Sequence, residues 1–202
     1  DVCSSDLSRE SPATLDLYGV NAEDEQLLSY ATQCLRARPL IEAGVRFVAI
    51  PANPVGLSVG IWDQPGQLKE GHEKNALVTD QPIAGLIRDL RLRGLLDETA
   101  VLCISEHGRT PKIDSGPKGA ARDHWSRAYS AVYAGGGFAR GKVVGRTDSI
   151  AGDVENTPVS PKDVLATTFH LLGIDPHTTL PDHAGQPQPI AGDGRVRHEL
   201  TG

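Results

Sequence analysis

Ala100-Val101-Leu102-Cys103-Ile104 runs straight into Ser105-Glu106-His107-Gly108-Arg109, and Arg122-Asp123-His124-Trp125 follows a short way on. The five apolar residues are short and partly β-branched, the composition of a strand buried on both faces of a parallel sheet. In open α/β sheets ligands bind beyond the carboxyl ends of the strands, so Glu106 and His107 are expected at a binding edge. An imidazole nitrogen and a carboxylate oxygen are donors that zinc accepts, while calcium and magnesium take the oxygens. An isolated Glu-His pair also has a plainer reading, in which Glu106 pairs with Arg109 or Arg122 and His107 caps a turn at Gly108. The second acid-histidine pair, Asp123-His124, turns the reading toward a divalent metal site.

Working outward, Asn21 followed by Glu23, Asp24 and Glu25 reads as a helix cap with acids in the first turn. Leu27, Leu28, Ala31 and Leu35 then recur at helical spacing, with the end set by Gly44 and a break or kink expected at Pro39. Val45 to Ile50 reads as a strand, and beyond the Pro- and Gly-rich loop that follows, Asp63 is the first carboxylate. Thr79 is the expected cap of a second helix, with Ile83, Leu86, Ile87 and Leu90 on its buried face and Gly94 ending it.

Ala128 to Ala134 reads as another strand, running into Gly135, Gly136 and Gly137. That triplet lacks the lysine spacing of a phosphate-binding loop and is read as a turn. Ser160, Pro161 and Asp163 open a helix that Gly173 closes, and His170 within it reads as a packed residue. The tail from Asp175 is expected to form loops and a short hairpin. Alternating helices and strands predict an α/β domain with a largely parallel sheet.

The 202 residues and 39% hydrophobic content suffice for one sizeable core. A net charge of -6, with no basic stripe interleaved with aromatics, argues against a nucleic-acid partner. No apolar stretch approaches the length of a membrane span. Cys3, Cys34 and Cys103 show no metal-finger or paired spacing. The chain contains no methionine and is read as starting inside a longer reading frame. Residues 1–7, DVCSSDL, spell what one frame of a widely used sequencing adapter encodes, and they are set aside as an artefact; residues 8–202 form the domain.

Several segments together carry a resemblance: RESPATLDLYG (9–19), ARPLIEAGVRFV (37–48), Trp62-Asp63, RGLLDETAVL (93–102), SEHGRTPK (105–112), RDHW (122–125), AGGG (134–137) and DVLATTFHLLGIDP (163–176). The chain resembles the C-terminal part of a large bacterial family of unknown function, domain of unknown function fifteen-oh-one, abundant in planctomycetes. That family is sulfatase-like, within the alkaline phosphatase superfamily. The resemblance implies an αβα sandwich with a largely parallel sheet, incomplete at its N-terminus.

It further implies divalent metal ligation by Asp63, Glu106, His107 and His124, the cation being zinc, calcium or magnesium. Where relatives have a histidine after Trp-Asp, this chain reads Gln64-Pro65-Gly66, and His72 is the nearby substitute; Asp123 is a further candidate that orients His124. Arg109 and Arg122 are expected to steady an anionic substrate, a small-molecule or polysaccharide ester. The superfamily's nucleophile precedes this stretch, so no catalytic residue is assigned here. The expectation is a metal-dependent hydrolase of phosphate or sulfate esters; the alternative is an inactive exported binding or scaffold protein of the same fold. Relatives carry a twin-arginine leader, which implies export to the periplasm.

Overall fold

The computed structural model describes residues 7–52, 62, 66–116 and 119–202. They fall into two compact units, Asp1–Gly94 with Lys112–Asp123, and Leu95–Pro111 with His124–Gly202.

The first unit is helical. Helix α1 (Pro12–Tyr18) starts where the Ser11 hydroxyl accepts from the Thr14 N–H at 3.1 Å, with a proline in its first turn, and stops at Gly19 in the left-handed region. Helix α2 (Glu25–Glu42) is capped by Asp24, whose carboxylate accepts from the N–H groups of Gln26 and Leu27. Asn21, the expected cap, instead donates its amide to Asp16 at 2.6 Å. The helix runs unbroken through Pro39, which sits in its final turn and so removes only one late backbone bond.

Helix α3 (Leu68–Leu92) begins well before Thr79. Thr79 lies buried inside it, donating its hydroxyl to the Asn75 carbonyl at 2.9 Å. The buried positions Asn75, Val78, Thr79, Pro82, Leu86, Asp89 and Leu90 keep helical spacing, but polar and small residues break up the apolar signal. Gly85 lets α1 and α3 touch, because a Cβ there would stand 2.7 Å from the Leu17 carbonyl oxygen.

Tyr18, Cys34, Leu35 and Leu90 are almost wholly buried, and a charged network lies among them. Arg38 is 4% exposed. Its guanidinium reaches Glu10, Glu42 at 2.7 Å and Asp89 at 3.2 Å. Asp89 also receives the Tyr18 hydroxyl at 3.1 Å and Arg93 at 2.8 Å. A charge so deeply buried requires this density of partners.

The second unit holds helix α4 (Pro161–Leu171), opened as expected by Ser160 and Asp163 in a reciprocal capping box. Asp163 and Thr167 also accept from the backbone N–H groups of Arg195 and Arg197, fastening the tail to the helix. His170 is exposed rather than packed, edge-on to His198 with ring centroids 6.1 Å apart. Strands Thr179–Pro181 and Pro187–Pro189 form the short hairpin expected in the tail. Gly135, Gly136 and Gly137 all have positive φ and form a turn pressed against Leu96, Ala100 and Leu171.

The largely parallel, alkaline phosphatase-like sandwich expected from the sequence is overturned. Among the described residues there are four α-helices and only short, two-stranded antiparallel sheets. The run 100–104 does form a strand, β1 (Val101–Cys103), but it pairs antiparallel with β4 (Val132–Ala134), and Cys103 and Ile104 are exposed. The same β4 is the end of the strand expected over 128–134. Residues 45–50 form no strand: α2 closes with a Val45 N–H to Leu40 carbonyl bond, and Phe47 points outward at 82% exposure. A β-branched segment becomes a strand only where a partner edge meets it.

Candidate metal centre

Beyond β1 the chain turns through Ser105, Glu106 and His107 into β2 (Gly108–Arg109), which pairs antiparallel with β3 (His124–Trp125). Gly108 lies opposite Trp125, and Arg109 opposite His124. Strand alternation therefore puts His107 and Arg109 on the face that carries His124. His107 and His124 are diagonal neighbours across the ribbon, a relation aromatic side chains can span. Their rings stack, with centroids 5.3 Å apart and planes inclined by 24°.

Gly108 makes this ribbon possible. A Cβ at that position would stand 1.9 Å from the Ala128 carbonyl oxygen and 3.0 Å from that of Trp125. Trp125, on the reverse face, donates its indole N–H to the Gly152 carbonyl at 2.7 Å.

The Nδ1 atom of His107 is buried with no hydrogen-bond partner, which is costly unless a proton acceptor, donor or metal ion completes it. Glu106 is exposed. Its carboxyl is held below the ordinary carboxylate range by its own backbone N–H and the Ser105 hydroxyl, and the two imidazoles add to the effect. Ser105 Oγ stands 3.2 Å from both Glu106 Oε2 and the His107 carbonyl, so its single hydrogen is shared between them.

Two imidazoles, one with an orphaned ring nitrogen, and an ionised carboxylate are donors suited to a borderline cation such as zinc more than to calcium or magnesium. By donor chemistry the residues fit a metal. Among the described residues, however, no three His, Cys, Asp or Glu side chains stand close enough together to hold one.

Asp63 lies outside the described residues. His72, Arg122 and Asp123 belong to the first unit, and Glu106, His107, Arg109 and His124 to the second. His72 gives its Nδ1 side to the Leu68 carbonyl at 2.8 Å, and its ring meets Trp62 edge-on at 5.7 Å. That bond fixes the tautomer in the way that ligating histidines use, leaving Nε2 as the ring's basic nitrogen.

Sequence reading missed what stands behind β3. Strands β5 (Arg146–Thr147) and β6 (Val154–Asn156) flank a turn in which Asp148 accepts from the N–H groups of Ile150, Gly152 and Asp153. Arg127 lies 5.6 Å from the Trp125 ring centroid and pairs with Asp153 at 2.6 Å. The signal available was Asp148 four residues before Gly152, the pattern of an Asx-type turn.

The family described as "Protein of unknown function (DUF1501)" matches residues 4–201, and the chain belongs to that family. No curated protein and no solved structure matches it. Among the described residues, no helix is long and apolar enough to cross a membrane.

Proposed function

We propose that this member of the DUF1501 family is a sulfatase-like, metal-dependent hydrolase of phosphate or sulfate esters. His107 and His124 are its metal-binding pair in this chain, Glu106 is the neighbouring carboxylate, and Arg109 is the contact for the substrate anion. The observation that carries the reading is the stacked His107–His124 pair with a buried, unpartnered Nδ1. A divalent cation there would polarise the ester oxygen and lower the pKa of a bound water.

The chain's own residues do the rest. Glu106, kept ionised, balances the cation's charge. Arg109, across from His124 on the same face, presents a guanidinium whose fork matches the paired oxygens of a phosphate or sulfate. Neither a nucleophile nor a general acid is assigned.

A second reading keeps its place because the described residues do not complete a three-ligand set: an exported binding or scaffold protein without catalysis. Hydrolysis of p-nitrophenyl phosphate and p-nitrophenyl sulfate by the full-length gene product separates the two. The hydrolase reading predicts turnover that chelator abolishes, that added zinc restores, and that His107→Ala and His124→Ala each remove. Turnover absent with every divalent cation tried, in a folded protein, rejects it in favour of the scaffold.

A further inference from the structure

The β2–β3 ribbon has two residues on each strand, far too little to hold its own shape in water. One face carries His107, Arg109 and His124, so something on the reverse face must fix their geometry. Trp125 is the side chain that reaches back. Its indole N–H meets the buried Gly152 carbonyl at 2.7 Å. Gly152 in turn sits in a turn that Asp148 fastens through three backbone N–H groups, the shortest of them from Gly152 itself at 2.7 Å. Ala151 is held there at a positive φ of 58°, a conformation a non-glycine residue keeps only where its surroundings impose it. Arg127 closes the arrangement, lying over the indole and pairing with Asp153 of the same turn.

We infer that Trp125 is a positioning residue: its hydrogen bond to the Asp148-fastened turn sets His124 against His107, and so tunes the metal affinity of that pair. This rests on the reading of the two histidines as ligands. Trp125 lies on the face opposite the two imidazoles and acts only through the backbone of β3. The residues that support a ligand typically matter to metal affinity by roughly tenfold or more, and an effect of that size is assigned to the Trp125–Gly152 bond.

The test uses Trp125→Phe, which keeps an aromatic ring for Arg127 and deletes the N–H, and Asp148→Asn, which loosens the turn and leaves the indole intact. Cobalt(II) binding is followed by its visible absorption, and the Cε1–H shifts of His107 and His124 are read by NMR in the metal-free protein. The expected result is about tenfold weaker cobalt binding in both variants, with both histidine shifts displaced as the rings unstack. Cobalt affinity and shifts equal to wild type in either folded variant overturn the inference, as does a lowered Tm with unchanged affinity, which marks Trp125 as merely structural. Failure of the wild-type protein to bind cobalt instead sinks the metal reading. The histidine shifts then decide the positioning role by themselves: displaced in both variants they uphold it, unmoved they reject it.

Discussion

Gly108→Ala is the substitution with the most direct consequence for the site. The added Cβ would lie 1.9 Å from the Ala128 carbonyl oxygen, and both atoms that crowd it most closely are backbone atoms of Ala128 that cannot rotate away. Relief requires β2 to move off that carbonyl by more than an ångström, roughly a carbon–oxygen van der Waals separation less the distance available. Overpacking of this kind costs about 1–3 kcal/mol. Replacing glycine by alanine returns about 0.4–1 kcal/mol by restricting the unfolded chain. The net loss is then on the order of 1–2 kcal/mol, and for a chain of this size each kcal/mol lowers Tm by about 2–4 °C. Gly116→Ala is the control, since its nearest neighbour would be 3.9 Å away and its φ is not positive. Calorimetry should show a Tm lowered by several degrees for Gly108→Ala and not for Gly116→Ala. In the same Gly108 variant the ring-current shifts of His107 and His124 should collapse. A Gly108→Ala protein with wild-type Tm and wild-type histidine shifts would refute the claim that this close approach builds the ribbon.

Three further outcomes concern the framework. Arg38→Ala leaves Asp89 and Glu10 facing a vacated guanidinium site, and chemical denaturation should show a loss of about 3–5 kcal/mol, as for other broken buried ion pairs; an effect below 1 kcal/mol would mean water replaces the charge freely. Burial, and then the Asp89 carboxylate, push the Tyr18 phenol up, so it stays protonated in the fold after the unfolded chain has ionised; stability present below about pH 10 is lost as pH rises beyond it. Tyr18→Phe should flatten that alkaline slope at a cost of about 1 kcal/mol near neutrality, and an unchanged slope would count against it. Burial raises the Asp163 carboxyl, but the N–H groups of Ser160 and Arg195 outweigh this and hold it low. Its stabilisation is present above about pH 4 and lost as pH falls below, so acid unfolding of Asp163→Asn should lack that part of the slope.

Legibility in the sequence followed the range of the interactions. The start of α4 could be read because its cap uses residues three apart, Ser160 and Asp163, and needs nothing distant. The cap of α2 was misplaced because two cap-forming side chains three residues apart, Asn21 and Asp24, compete, and the choice depends on Asp16 drawing Asn21 away. The turns of α3 before Thr79 escaped notice because the polar Asn75 lies on their buried face while Leu77 points outward.

Sheet direction was the largest error. The composition of 100–104 identifies a strand and says nothing of its partner, and the 28 residues separating Cys103 from Val132 are long enough for either a parallel crossover or an antiparallel return. At the candidate site, Glu106, His107, Arg109 and His124 were legible as chemistry, and the register of β2 against β3 sets His107 and His124 diagonally on one face. The supporting turn at Asp148–Asp153 was not, because the Trp125 indole finds it 27 residues away.

The most direct measurement is a calorimetric titration of the chain with zinc, beside the same titration of the His107→Ala/His124→Ala double variant. The account predicts a saturable zinc site in the wild-type chain that disappears in the double variant while its circular dichroism stays unchanged. A wild-type chain that takes up no zinc, or a double variant that binds it equally well, would contradict the assignment of His107 and His124 as a metal centre.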